Sequence, residues 1–244
     1  MKINILTLFP DMFAPLRESM IGRAEENGII EFNIINFRDY TSDKHNRVDD
    51  TPFGGGAGMV LQVQPIMSVV KASNLTGKFI YMSPRGKVLD KNIAEELSRL
   101  DEITILCGHY EGVDQRVLDE LSAEEISIGD YVLTGGELPA MVLIDCVSRF
   151  IDGVLASDES AVEESVYSGL LEHPHYTKPR EIIGREVPEV LVSGNHQLID
   201  LWRFEESLRL TKARRPDLFE SFLNSGREFS KQERKVIDKI LQEK

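Results

Sequence analysis

A chain of 244 residues, 41% apolar and 28% charged, has the composition of an ordinary soluble protein and length for one large domain or two modest ones. No run approaches the length of a membrane-spanning helix, and the first residues lack the charged, apolar, small-residue order of a signal peptide, so a cytoplasmic protein with no membrane partner is expected. The formal charge of −13 argues at first sight against a nucleic-acid partner, because phosphate contacts need Lys and Arg.

Residues 3–9 predict a buried strand that ends at Pro10. A helix is expected from Pro15 to Asn27, with Gly28 as its C-terminal cap, and the alternation of Ile30, Phe32 and Ile34 predicts a second strand. Arg38 to Asp50 carries charge without apolar period and reads as irregular. Thr51 to Met59 follows, with four glycines among Gly54, Gly55, Gly56, Ala57 and Gly58. This loop ends in no Gly-Lys-Ser/Thr and has no GxGxxG spacing, so neither a P-loop nor a Rossmann dinucleotide turn is present. An apolar pattern resumes at once over Val60 to Val70, which places the loop inside one domain.

Lys78 to Met82 predicts a strand that stops at Ser83-Pro84-Arg85-Gly86. A helix is expected over about Asp90 to Leu100 with Asp90 as its N-cap, then a strand over Ile103 to Cys107. After Gly108 to Gly112 come a helix over Val113 to Leu121 and a short strand over Ile126 to Ile128. Alternating strands and helices predict an open parallel sheet, and such sheets bind ligands beyond the carboxyl ends of their strands. Three glycine-bearing turns fall there, at 83–86, 108–112 and 129–136. From Pro139 to Phe150 the apolar spacing is helical, with proline in the first turn, where its missing N–H costs nothing.

Residues 152–169 are acidic, serine-rich and poor in large apolar side chains, which reads as a linker. Beyond it, 173–184 is loop-like. Asn195 is expected to cap a helix over His196 to Thr211 and Asp217 the next, and Ser230 to Leu241 is amphipathic. The charge is unevenly spread: residues 1–168 hold 14 Lys and Arg against 28 Asp and Glu, while residues 169–244 hold 14 against 13. Arg209, Lys212, Arg214 and Arg215 form a local basic knot in the second part. The two cysteines, Cys107 and Cys146, lie in apolar runs and read as small core residues. His173 and His175 are two positions apart, and no metal-ligand cluster is expected.

The run IGDYVLTGGELPAM followed by VSRF, together with LFP, VDDTPFGGGAGM, SPRGK, CGHYEGVDQR, HPHYTKP, SGNH and RRPDL, resembles the bacterial tRNA (guanine-N1)-methyltransferases of the TrmD type, in the SPOUT class. The motifs occur in this order along nearly the whole chain. The resemblance implies an α/β fold, a SPOUT-type open parallel sheet with a deep trefoil knot, plus a small, mainly helical C-terminal domain. It implies domains over 1–155 and 169–244 with a linker over 156–168, S-adenosylmethionine as cofactor, and a homodimer. One subunit's knot would hold the cofactor, with the linker and second domain of the other closing the site. The partner would be tRNA with guanosine at position 37, next to the anticodon. The knot follows from the resemblance alone, since chain patterning by itself would discard one.

Residue by residue, the resemblance assigns cofactor binding to Tyr81, Ser83, Pro84, Gly108, Tyr110, Glu111, Gly112, Ile128, Gly129, Asp130, Tyr131, Val132, Leu133, Gly135, Gly136 and Pro139. Arg149 of VSRF matches the catalytic arginine. Asp49, Gly54, Gly55, Gly58 and Met59 would shape the pocket for the target guanine, and His175, Arg203, Arg214 and Arg215 would contact RNA. Methylation at guanine N1 needs a base for the N1 proton and a cation for charge growing on O6. The family's base is the aspartate of an Asp-Ser-Phe triplet. Here the matching position is Glu164, in Glu164-Ser165-Val166, so the carboxylate is kept on a side chain one methylene longer. Ala57 also replaces the family's usual proline. Two other readings stay open: a SPOUT enzyme acting on a ribose 2′-oxygen or another base, and an RNA-binding protein whose catalytic site has decayed.

Overall fold

The computed structural model describes residues 1–155 and 165–243. They fall into two compact units, Met1–Asp158 and Glu159–Lys244. Glu164, the expected base, lies outside the described residues.

The first unit is a mixed α/β body on a five-stranded parallel sheet. Its strands are β1 (Lys2–Thr7), β2 (Glu31–Asn36), β5 (Lys78–Val88), β6 (Glu102–Leu106) and β7 (Glu124–Ser127), in the order β2-β1-β6-β5-β7. Successive strand residues point to opposite faces. Ile3 and Ile5 of β1 and Ile103 and Ile105 of β6 therefore enter one core layer, while Leu6 and Leu106 enter the other. The first layer also takes Phe13, Ala94, Leu97, Leu143, Ile144 and Val147, from α3 (Lys91–Ser98), α5 (Glu137–Ser148) and a 3₁₀ segment over Pro10–Arg17. The second takes Ile66, Val69, Val117 and Leu118, from α2 (Val63–Ala72) and α4 (Gln115–Glu120). A buried polar string fixes register across the sheet. Asn33 donates to Asn4 Oδ1 at 2.9 Å, and Asn4 donates to Glu102 at 2.8 Å and to Thr104 at 3.2 Å. A one-residue slip of β1 would break all three bonds.

Several elements differ from the sequence reading. The expected helix over 15–27 divides into the 3₁₀ segment and α1 (Ser19–Glu26), because Glu18 is extended and Ser19 takes a positive φ of 59°. The charged stretch after β2 contains a 3₁₀ turn, Phe37–Tyr40, and a short antiparallel pair of β3 (Asp49–Asp50) with β4 (Val60–Leu61), which closes the glycine loop between them. Strand β5 does not stop at Met82. Met82 and Lys87 both lie opposite Ile126, so residues 83–86 loop out and the strand resumes. Gly86 permits this: a Cβ there would fall onto the Glu125 carbonyl and the Ile126 amide. Asp90 caps α3 as expected, accepting from the Ile93 amide at 2.9 Å.

The second unit holds a small hairpin of β8 (Glu181–Ile182) and β9 (Arg185–Glu186), in the stretch read as loop. Its helices are α6 (His196–Arg214), α7 (Pro216–Leu223) and α8 (Lys231–Gln242). Leu170, Leu208, Phe219, Phe222, Val236, Ile237 and Ile240 form its core. Asn195 caps α6 through the Leu198 amide, and Ser230 forms a full capping box with Glu233 on α8. Asp217 does not cap α7. It sits inside the first turn, paired with Arg215, and Pro216 opens the helix instead. Among the described residues no helix is long and apolar enough to cross a membrane.

Candidate active site

The turns after β6 and β7 and the loop-out of β5 meet at the carboxyl edge of the sheet, around a cavity of about 250 Å³. That is near the lower end of the roughly 300–1,000 Å³ typical of ligand sites. Every residue assigned above to cofactor binding lines it except Asp130. The sequence reading missed Met82, His109, Ile126, Ser127 and Thr134, which also line it. Four of them adjoin assigned residues in the chain and Ile126 lies two positions before Ile128, so strand ends flanking a ligand turn are the signal that would have found them.

The walls are close-packed backbone. A Cβ on Gly108 would stand 2.7 Å from the Tyr81 hydroxyl oxygen, and one on Gly136 2.7 Å from Cys107 Cα. The Gly136 amide donates to the Gly108 carbonyl at 2.8 Å, and His109 and Gly135 form an isolated antiparallel bridge, so the β6 and β7 turns are stitched together. Gly129 is held at φ 140°, where its amide reaches Ser127 Oγ at 3.1 Å. The Tyr131 hydroxyl donates to the Ile128 carbonyl at 3.1 Å. Tyr131, Val132 and Leu133 expose apolar surface along the rim, and the imidazole of His109 packs between the rings of Phe9 and Tyr110, each 5.1 Å away. Burial raises the Tyr81 phenol, and it pushes the Cys107 thiol well up with help from the nearby Glu137 carboxylate. Both groups stay protonated at neutral pH, which leaves Cys107 a core residue without nucleophilic character.

The glycine loop docks beside this cavity. The Glu111 amide donates to the Met59 carbonyl at 3.0 Å and the Leu61 amide to the Gly112 carbonyl at 2.9 Å. A Cβ on Gly58 would overlap the Glu111 side chain. Gly58 and Met59 thus adjoin the turn after β6, whereas Gly54 and Gly55 are exposed at positive φ and Asp49 pairs with Leu61. None of the five lines the cavity. Arg149 follows α5 and lines a separate cavity of about 290 Å³ with Met141, Ser148 and Val154. Within its own chain it is not among the residues lining the cavity at the sheet edge.

In the second unit His175 pairs with Glu172 at 2.8 Å, and its ring lies 4.6 Å from that of His173. Trp202 stands 6.2 Å from both His173 and Tyr176, an aromatic cluster the motif reading overlooked because Trp202 is distant in sequence. Much of the basic knot is internally engaged. Arg209 binds Glu205, Glu206 and Glu243, Lys212 caps the end of α8 through the Ile240 and Glu243 carbonyls, and Arg215 holds Asp217. Arg203 makes a longer contact with Asp200, 3.4 Å. Arg214 is exposed and forms no ion pair among the described residues. No group of three or more His, Cys, Asp or Glu able to hold a metal occurs among them either.

Residues 1–221 match the family described as tRNA (Guanine-1)-methyltransferase TrmD. A tRNA (guanine-N(1)-)-methyltransferase of Ruminiclostridium cellulolyticum is 55% identical over 231 residues, covering 93% of this chain and 99% of the relative. Those of Lactobacillus helveticus and Dehalococcoides mccartyi are 52% and 51% identical across the whole chain, covering 99% and 98% of the relatives. With a family match over most of its length and full-length relatives above half identity, the chain belongs to the tRNA (guanine-1)-methyltransferase family of enzymes.

Proposed function

We propose that this methyltransferase moves the methyl group of S-adenosylmethionine to N1 of guanosine 37 in tRNA, as a cytoplasmic homodimer. The observation that carries the reading is the cavity, where three family-matching turns converge at the carboxyl ends of adjacent strands. Its residues fit the cofactor. Glycine turns let backbone amides and carbonyls approach an adenine edge, and Ile128, Tyr131, Leu133 and Pro139 give apolar surface for its faces. When bound, S-adenosylmethionine supplies a methyl already activated by its sulfonium, so the chain's task is alignment and proton handling.

The return of residues 134–137 to the end of β6, past the loop-out at 83–86, is the kind of crossing a trefoil knot of the SPOUT class requires. The domains proposed are 1–155 and 169–244, joined by a linker over 156–168. Glu164 takes the N1 proton, and Arg149 stabilises charge on O6. Arg149 is remote from the cavity lining of its own chain and serves the site through the dimer. Leu138 and Val142 on α5, with Phe9 and Met12, leave apolar surface exposed, which supports self-association. Asp49 and the glycine loop frame the guanine, while His175, Arg203, Arg214 and Arg215 serve the RNA.

The test is incubation with radiolabelled S-adenosylmethionine and two unmodified transcripts, one with G37 and one with A37. Label on the G37 transcript alone, recovered as 1-methylguanosine, is expected; label on a ribose or at another base overturns the assignment. In the same system Arg214→Ala weakens tRNA binding and lowers the slope of log K against log salt by about one. An unchanged slope in filter binding from 50 to about 200 mM salt would remove Arg214 from the RNA surface.

A further inference from the structure

Glu137 opens α5 and is almost entirely buried, 2% exposed, although it is an acid. One carboxylate oxygen accepts a hydrogen bond from the Thr7 hydroxyl at 2.8 Å, a contact between residues 130 positions apart. Thr7 is fully buried at the carboxyl end of β1, and its oxygen accepts the Phe9 amide at 2.9 Å. The other carboxylate oxygen lies against Gly135 and near the His109 ring: a Cβ built on Gly135 would be 2.5 Å from it and 2.8 Å from His109 Cδ2. Glu137 also lines a second, smaller cavity of about 130 Å³ with Phe9, Met12 and Leu138, and His109, Thr134 and Gly135 belong to both cavities. The carboxylate therefore stands directly behind the wall formed by His109 and Gly135 and is not itself part of the lining of the larger cavity.

A buried acid is costly unless its oxygens are hydrogen-bonded, and the bond Glu137 takes from Thr7 is one an apolar side chain could not make. Here the hydrogen bond ties the start of α5 to the end of β1, and the Gly136-to-Gly108 bond ties the same turn to the end of β6. We propose that Glu137, held by Thr7, is a positioning residue that fixes the Gly135-Gly136 turn and His109 as the wall of the cofactor cavity. The proposal rests on the donor assignment above. Its consequence is that losing the pair loosens cofactor binding and leaves the chemical step alone.

The test is steady-state methylation with the full-length chain at saturating tRNA, varying S-adenosylmethionine. Thr7→Val removes the donor without changing size, and Glu137→Ala removes the acceptor. Each raises KM for S-adenosylmethionine about tenfold, the scale of one buried hydrogen bond, with kcat within about twofold. Thr7→Ser and Glu137→Gln keep a donor and an acceptor and restore KM. The double variant Thr7→Val/Glu137→Ala is no worse than either single one. An unchanged KM, kcat falling together with KM rising, or failure of the conservative variants to rescue would each overturn the proposal. Should Glu137→Ala fail to fold, the Thr7→Val and Thr7→Ser pair decides alone. Absence of turnover with S-adenosylmethionine in the unaltered chain overturns the donor assignment, and the proposal with it.

Discussion

Replacing Gly136 with alanine is expected to abolish cofactor binding and lower the thermal midpoint of the first unit by about 10 °C. Gly136 has φ −83°, so the backbone itself would accept alanine, and the whole penalty is steric. The added Cβ meets Cys107 Cα at 2.7 Å and the Gly108 amide at 2.8 Å, both backbone atoms that no rotamer change can move. To relieve the contact the turn must lift from β6, which breaks the Gly136-to-Gly108 hydrogen bond and shifts the start of α5. Overpacking of this kind costs about 3 kcal/mol, and a unit of this size loses roughly 2–4 °C per kcal/mol. The comparison is Gly54→Ala, whose Cβ meets nothing within 4 Å but whose φ of 89° costs about 1 kcal/mol. Calorimetric melting and titration with S-adenosylmethionine measure both effects. A Gly136→Ala protein that melts with the wild type and binds normally would show that the β6 and β7 turns are not packed as described.

The cavity was legible in advance because its parts are local signals. A buried strand followed by a glycine turn marks a carboxyl edge wherever it occurs, and three such turns in one α/β unit have one edge of one sheet to share. Motif resemblance then attached a cofactor to turns that patterning had already brought together. What stayed hidden depends on contacts distant in sequence. The resumption of β5 at Lys87 requires Gly86 to lie on the Glu125 backbone, and nothing near residue 86 announces that partner. Asp217 was read as a cap because it precedes an apolar run, but Pro216 starts α7 one residue earlier and Arg215 takes the carboxylate. The basic knot groups Arg209, Lys212, Arg214 and Arg215 by sequence alone, and only the fold shows Glu205, Glu206, Glu243 and the end of α8 engaging Arg209 and Lys212. Arg149 presents the same problem at the site itself: a motif assigns a role, and only three dimensions show that the arginine lies away from its own chain's cavity.

Replacing Glu164 with glutamine is expected to reduce kcat about a thousandfold while leaving KM for S-adenosylmethionine unchanged. Guanine N1 carries a hydrogen at neutral pH, so a methyl group can bond there only as that proton departs. A positioned carboxylate supplies roughly 10²–10⁴ in rate by accepting it. Glutamine has the same shape and keeps an oxygen acceptor, but it is too weakly basic to take the proton. The loss therefore falls on the chemical step. None of the residues lining the cavity is altered, so cofactor binding persists. In the wild type kcat rises with pH as the carboxylate ionises and then levels; in Glu164→Gln the residual rate climbs with pH throughout, following hydroxide. Glu164→Asp restores the residue the family uses at this position and is expected to recover activity, with the difference between the two acids measuring how the extra methylene is accommodated. Single-turnover methylation of the G37 transcript at several pH values separates these cases. A Glu164→Gln protein with wild-type single-turnover rate would move the base elsewhere, and Asp49, the other carboxylate assigned to the guanine pocket, would be the next residue to replace.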